Sequence, residues 1–168
     1  MTTTDSNAES TEPTDTTRGP TPMDLPIEDV VELGQLCATY AVKLTQGDIH
    51  YVIEHLCTDD GTYSAFGETY SLDDWPALVA AAPKGLFLCG EPALRLDGDE
   101  GTGEVPLLFI DQTNHRMRMG WYSDTYRRTA GGWRLKTRKM AFLRRNGEVD
   151  AGNPHDPRRP KPSETSTS

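Results

Sequence analysis

Two alternating runs joined by Ala130-Gly131-Gly132 carry the side chains best suited to chemistry. On the first run Arg118, Tyr122 and Asp124 recur at even spacing, so one face of a strand collects a guanidinium, a phenol and a carboxylate able to orient an anionic or hydroxylated ligand. On the second run Arg138 shares a face with Met140 and Phe142. Asp48 could act as a general base, although its position ahead of a short apolar-periodic segment fits a helix N-cap better. His115, at the start of a strand, could exchange a proton near neutral pH, with a solvated turn histidine as the blander reading. Tyr40 and Tyr63 could polarise a carbonyl through their hydroxyls, though packed phenols that satisfy one hydrogen bond are commoner.

Which face of the first run turns inward decides much of this. Burying Met117, Met119 and Trp121 costs less than burying Arg118, Tyr122 and Asp124, so an apolar wall of methionine and tryptophan is expected in mid-strand. A bulge further along could bring Tyr122 and Asp124 back inward. Tyr40, Phe87, Met119, Trp121, Tyr122 and Phe142 are the expected pocket-wall residues. Other chemistries find no support. His50 and His55 are five apart on a short helix and make a poor metal pair, so no metal site is expected. Cys37, Cys57 and Cys89 are odd in number and without CxxC spacing, which suggests reduced packing residues rather than disulfides or zinc ligands. There is no Gly-rich phosphate loop after a strand and no Gly-x-Ser-x-Gly elbow, so nucleotide binding and serine hydrolysis drop out. No organic cofactor is expected.

The elements that must position these residues follow from periodicity. Pro26-Ile27-Glu28-Asp29 opens a helix to about Leu44, with Val30, Leu33, Cys37, Tyr40, Ala41 and Leu44 as its apolar stripe. Gln46-Gly47 ends it, and a second helix runs from Asp48 through Leu56. Thr58-Asp59-Asp60-Gly61 reads as a turn, followed by short strands at Thr62–Ala65 and Glu68–Tyr70. A third helix carries Trp75, Leu78 and Val79, with Pro76 tolerated only in its first turn. Four long strands are then expected, at Leu86–Leu96, Gly101–Asp111, Arg116–Arg128 and Trp133–Leu143. Helices first and an antiparallel meander afterwards is an α+β order. One domain over residues 23–146 is expected, between a leader at 1–22 and a Pro-rich tail at 147–168 too polar to fold.

Tyr122-Ser123-Asp124, Arg127-Arg128-Thr129, Gly132-Trp133-Arg134 and Arg138 resemble the closing strands of the SnoaL-like group in the nuclear transport factor 2-like superfamily. The resemblance extends from Ile27 to about Leu143, and it matches Arg138 to a family arginine near the pocket, which implies a contact there to a substrate anion or a developing oxyanion, with a surface arginine pairing with an acidic helix as the equal alternative. It implies a cone-shaped roll, a strongly curved and mostly antiparallel sheet wrapped around N-terminal helices, with a pocket at the wide mouth. It also implies cofactor-independent lyase, isomerase, cyclase or dehydratase activity on a polyketide-, terpenoid- or steroid-like substrate. Catalytic members pair a carboxylate near the end of the first helix with a histidine on the strand after the third. Thr45 and Phe87 occupy those two positions here, which keeps open a non-catalytic binding or assembly module of the same fold. A third alternative is a scaffold like the small subunit of ring-hydroxylating dioxygenases, requiring a large partner chain.

Composition narrows the partners. The net charge of -9 argues against a generic nucleic-acid or anionic-membrane binder. Ten of the 17 basic residues fall between Arg116 and Arg145, yet without the exposed aromatic interleaving that single-stranded nucleic acid requires. A solvated sheet face, or a homodimer joined through that sheet as the family resemblance implies, accounts for them. No run approaches the ~18 apolar residues of a membrane helix, and no apolar signal segment opens the chain, so a cytoplasmic location is expected.

Overall fold

The computed structural model describes residues 24–144, 147–150 and 160–163. The leader at 1–22 lies outside them. Helix α1 (Ile27–Gln46) begins behind Pro26, carries Glu28 and Asp29 in its first turn and Lys43 in its last, and so matches its own dipole at both ends. Gly47, at φ 78°, closes it in the left-handed conformation and donates its N–H to the Leu44 carbonyl. Helix α2 (Ile49–Leu56) starts at Asp48, whose carboxylate accepts from the Tyr51 N–H at 3.2 Å. Helix α3 (Trp75–Ala81) has Pro76 in its first turn.

Among the described residues eight strands form one sheet: β1 (Cys57–Ala65), β2 (Glu68–Ser71), β3 (Gly85–Cys89), β4 (Ala93–Asp97), β5 (Glu100–Asp111), β6 (Met117–Thr129), β7 (Gly132–Leu143) and β8 (Val149–Asp150). Its order is β2-β1-β7-β6-β5-β3, with β4 also on β5 and β8 also on β7. Of these pairs, only β1 and β7 run in parallel. The sheet is strongly curved and wraps the helices. The fold is α+β, as expected.

Three expectations for its parts need correction. Thr58–Gly61 is not a turn but the opening of β1, where the register shifts against β7 between Cys57 and Thr62; the turn-forming residues make an irregularity within a strand. The stretch Leu86–Leu96 is two strands, because Gly90-Glu91-Pro92 interrupts it, and both halves pair with β5. Past residue 146 the chain still adds β8 to β7, and the Pro160 carbonyl accepts from the Tyr70 hydroxyl at 2.9 Å.

The core lies between α1 and the concave face of the sheet, where Leu33, Leu36, Cys37, Tyr40 and Leu44 meet Val105, Leu107, Tyr122, Tyr126, Trp133 and Leu135. Buried Asp29 fixes the start of α1 to the β6–β7 turn. It accepts from Arg128 Nη2 at 2.6 Å and from the Trp133 indole N–H at 3.0 Å. Glu32 adds a contact to the Trp133 backbone N–H at 2.8 Å. These bonds set the angle at which α1 crosses the sheet and place its far end over the strands that carry the site.

Candidate functional site

The inner face of β6 is the opposite of the one burial cost suggests. Tyr122, Asp124 and Tyr126 are buried, whereas Met117 and Met119 are 68% and 59% exposed on the outer face and Trp121 is half-buried there. The reason is local compensation. Arg138 on β7 stands opposite Asp124 in register and meets it with two contacts, Nε to Oδ1 at 2.9 Å and Nη2 to Oδ2 at 2.6 Å. The Tyr126 hydroxyl donates to Asp124 Oδ2 at 2.7 Å. A bidentate, doubly hydrogen-bonded pair removes most of the cost of desolvating the carboxylate. Met119 and Trp121 are therefore not pocket walls.

Arg138 also lies between two aromatic rings, with its guanidinium carbon 3.9 Å from the Tyr40 centroid and 4.2 Å from that of Tyr122. Burial works against its charge, but the Asp124 carboxylate outweighs that and raises its hold on the proton. Burial likewise pushes the Tyr40, Tyr63 and Tyr122 phenols upward, so all three stay neutral. Tyr40 interacts with Tyr122 and Arg138, yet Tyr40 Oη, Tyr122 Oη and Arg138 Nη1 make no well-formed hydrogen bond among the described residues. Cys37 Sγ sits 3.7 Å from the Tyr126 hydroxyl.

In front of this buried cluster is a cavity of about 620 Å³. Its walls are Leu44, Tyr63, Phe66, Trp75, Leu78, Val79, Phe87, Phe109, Met140 and Phe142, with Lys84 and Arg118 as its charged side chains. Trp75 links cavity and cluster, stacking on Tyr63 at 4.6 Å and lying 6.2 Å from Tyr40. The Tyr63 hydroxyl is turned to Met140 Sδ at 3.3 Å. Helix α3, the end of α1 and strands β1, β3 and β5–β7 thus each contribute one side of an apolar bowl. A cavity of this size, mostly apolar with few charged groups, falls in the range of small-molecule pockets in general.

The structure divides the sequence-derived candidates into three groups. Tyr63, Phe87 and Phe142 line the cavity. Tyr40, Tyr122, Asp124 and Arg138 come together directly behind its wall. The outward-facing Met119 and Trp121 belong to neither, and nor do Asp48 and His115. Asp48 is occupied as the α2 cap and by Lys43 Nζ at 3.3 Å, and His115 is an exposed turn residue at φ 55°. Both are corrected to structural positions, each following the blander reading of its residue type. Thr45 and Phe87 are neighbours: Thr45 Oγ1 accepts from the Phe87 backbone N–H at 3.0 Å and donates to the Ala41 carbonyl at 2.8 Å. At the two positions where the sequence resemblance implies a carboxylate and an imidazole, this chain has a hydroxyl bonded to backbone beside an apolar ring. Sequence reasoning missed Trp75, Leu78, Phe109 and Met140 as walls. Their only signal was membership of an apolar stripe, which core residues share.

The thiols are not activated. Burial pushes Cys57 up to about 12 and Cys89 up to about 11, and all three cysteines are unpaired. No group of three metal-ligating side chains occurs among the described residues. None of their helices is long and apolar enough to cross a membrane.

A curved sheet wrapped on helices around an apolar cavity defines the nuclear transport factor 2-like class of fold. The family model for the SnoaL-like domain matches residues 26–139, and the chain belongs to that family. Solved structures with the same fold include a Mycobacterium tuberculosis protein of unknown function, 21% identical over 74% of this chain and 77% of that one, at a TM-score of 0.65. A nuclear transport factor 2-like protein with a cystatin-like fold from Novosphingobium aromaticivorans is 24% identical, covering 72% and 87% of the two chains at a TM-score of 0.63. A proposed dehydratase of that family from Streptomyces avermitilis is 15% identical, covering 68% and 95% at 0.59. No curated protein matches the sequence significantly.

Proposed function

We propose that this protein binds a small hydrophobic, oxygenated molecule of polyketide, terpenoid or steroid type in the 620 Å³ cavity, as a binding module without an acid-base pair. One observation carries the reading: among the described residues, the cavity wall holds ten large apolar or aromatic side chains and neither a carboxylate nor an imidazole. General acid-base catalysis most often uses one of these groups within a hydrogen bond or one water of the reacting atom; a lysine or tyrosine can also serve, but Lys84 stands exposed at the rim with its ammonium on the Val79 carbonyl. Tyr63, the titratable phenol on the wall, is held neutral.

The test is a thermal-shift screen of the full chain against compounds of those three types, repeated with Ala82→Trp, an exposed rim position. A ligand that binds only the native state raises its melting temperature. Stabilisation by at least one compound, lost in Ala82→Trp, is expected. No stabilisation across a chemically broad library overturns the reading.

A second reading, a cofactor-independent lyase, isomerase, cyclase or dehydratase, is favoured by Tyr40 Oη, Tyr122 Oη and Arg138 Nη1. Tyr40 interacts with Tyr122 and Arg138, but none of these three buried groups makes a well-formed hydrogen bond among the described residues, and a buried donor left so costs about 1–3 kcal/mol. A ligand carbonyl reaching them would be polarised as in an oxyanion hole. Incubating a bound compound with the protein in D2O separates the readings, since a proton-transfer enzyme exchanges solvent deuterium into carbon and a binder does not.

The outer face supports a homodimer. Leu86, Leu88, Met117, Met119 and Leu143 are each more than 40% exposed, and β3, β5 and β6 place the first four side by side in register. Sheet-to-sheet pairing would cover them. Light scattering of the wild type and of Met119→Asp checks this, with a dimer converted to monomer as the expected result. Three unpaired cysteines suit a reducing, cytoplasmic setting.

A further inference from the structure

We infer that the ligand of this cavity is a hydrophobic monoanion whose carboxylate is received at the rim by Arg118, an inference that rests on the binding reading above. The observation is an imbalance of charge. The chain carries 26 acidic against 17 basic residues, yet the charged side chains of the cavity are Arg118 and Lys84, with no acid among its described walls.

Three other arginines of the same sheet are neutralised, whereas Arg95 and Arg134 have no ion pair among the described residues but do not line the cavity. Arg127 is bound by Asp60 and Glu100, Arg128 by Asp29 and Asp99, and Arg138 by Asp124. Arg118 makes no hydrogen bond or ion pair among the described residues. It stands opposite Phe109 in register and has its guanidinium carbon 5.9 Å from the Phe142 ring centroid. Among the described residues Lys84 Nζ donates only to the Val79 carbonyl, at 3.2 Å. A free guanidinium beside aromatic walls matches the two ends of an amphipathic acid. Its fork binds a carboxylate with two parallel bonds, while the rings and Met140 take the apolar body.

The deeper guanidinium cannot serve this role. Arg138 already meets Asp124 with two short contacts and is fully buried, so a second anion there would face a carboxylate and lose its water. At the rim the incoming carboxylate keeps part of its hydration. Depth therefore selects the apolar body and the rim selects the charge.

The experiment measures affinities by isothermal titration for three acids of increasing bulk, 2-naphthylacetic, dodecanoic and lithocholic acid, each beside its methyl ester. The proteins are the wild type, Arg118→Gln, Lys84→Gln and Ala82→Trp. Arg118 and Lys84 are exposed, so both glutamine variants are expected to fold as the wild type does, which circular dichroism verifies. At least one acid is expected to bind about tenfold more tightly than its ester, the usual scale of a hydrogen bond to a charged group. Arg118→Gln removes that preference while leaving the ester's affinity unchanged, Lys84→Gln reduces it less, and Ala82→Trp weakens acid and ester alike.

Esters binding as tightly as acids, or a preference that survives Arg118→Gln, overturns the inference and leaves the cavity-binding reading standing. The inference is overturned in the same way if all six compounds fail while neutral compounds from the thermal-shift screen bind in an Ala82→Trp-sensitive manner. If no compound binds the cavity at all, the binding reading fails and this inference with it.

Discussion

Replacing Arg138 with methionine is the perturbation whose cost the structure sets most sharply. The side chains of Arg138 and Asp124 are both 0% exposed. Removing the guanidinium deletes the contacts at 2.9 and 2.6 Å and leaves the Asp124 carboxylate with the Tyr126 hydroxyl as its side-chain donor. Breaking a buried pair by removing one partner costs about 3–5 kcal/mol, a large part of the ~5–15 kcal/mol that holds a typical domain. Asp124→Leu should cost a similar amount, moderated by the two tyrosine faces that still hold the cation. In the double variant Arg138→Met/Asp124→Leu no charge remains to be compensated. Its stability should return to within about 2 kcal/mol of the wild type, the residue reflecting the hydroxyl of Tyr126, which loses its acceptor. Urea unfolding of all four proteins, fitted with a common slope, measures the cycle. Single variants that each lose less than about 1 kcal/mol, or a double variant whose loss is the sum of the two, would disprove that charge compensation turns this face of β6 inward.

Three further outcomes follow from local geometry. The Asp29 carboxyl is held below its ordinary value of 3.8 by the hydrogen bond from Arg128, against the opposing effect of burial and with help from Trp133. A depressed carboxylate stabilises the fold above its ordinary value, and that contribution is lost as pH falls through 3.8 toward the folded value; urea midpoints should therefore drop on acidification below about pH 4, and less so in Asp29→Asn. Gly120→Ala should cost about 3 kcal/mol or more in the same assay, because a Cβ there would collide with the Ala141 carbonyl oxygen, a backbone atom that does not shift cheaply. The thiols should react with a disulfide reagent at pH 8 only slowly until the protein is unfolded, with half-buried Cys89, pushed up to about 11 by burial, reacting before Cys37 and Cys57.

Much of the fold was legible because its elements carry strong local signals. The stripe from Val30 to Leu44, the Gly47 stop, the Asp48 cap and the turn at Gly131-Gly132 each depend on neighbours within a few residues. What failed depended on partners far away in sequence. The inward face of β6 could not be read from its own alternation, since Asp124 can be buried at low cost only when Arg138, fourteen residues later, stands opposite it. The same holds for the cavity. Trp75, Phe109 and Met140 come from three separate elements, and nothing in their spacing marks them as wall rather than core. The candidate catalytic residues divided along this line too: Asp48 and His115 followed their local roles, while Asp124 and Arg138 found each other across strands.

Whether the cavity receives the ligand is best decided by NMR of the methionine ε-methyl groups, labelled with 13C. Met140 lies on the cavity wall, while Met117 and Met119 sit on the outer face of the same sheet and serve as internal controls. Titration with the most stabilising compound should move the Met140 methyl signal saturably and leave Met117 and Met119 in place, and in Ala82→Trp the Met140 signal should stay put as well. Shifts at Met117 and Met119 with Met140 unmoved would place the binding surface on the outside of the sheet and rule out the cavity as the binding site.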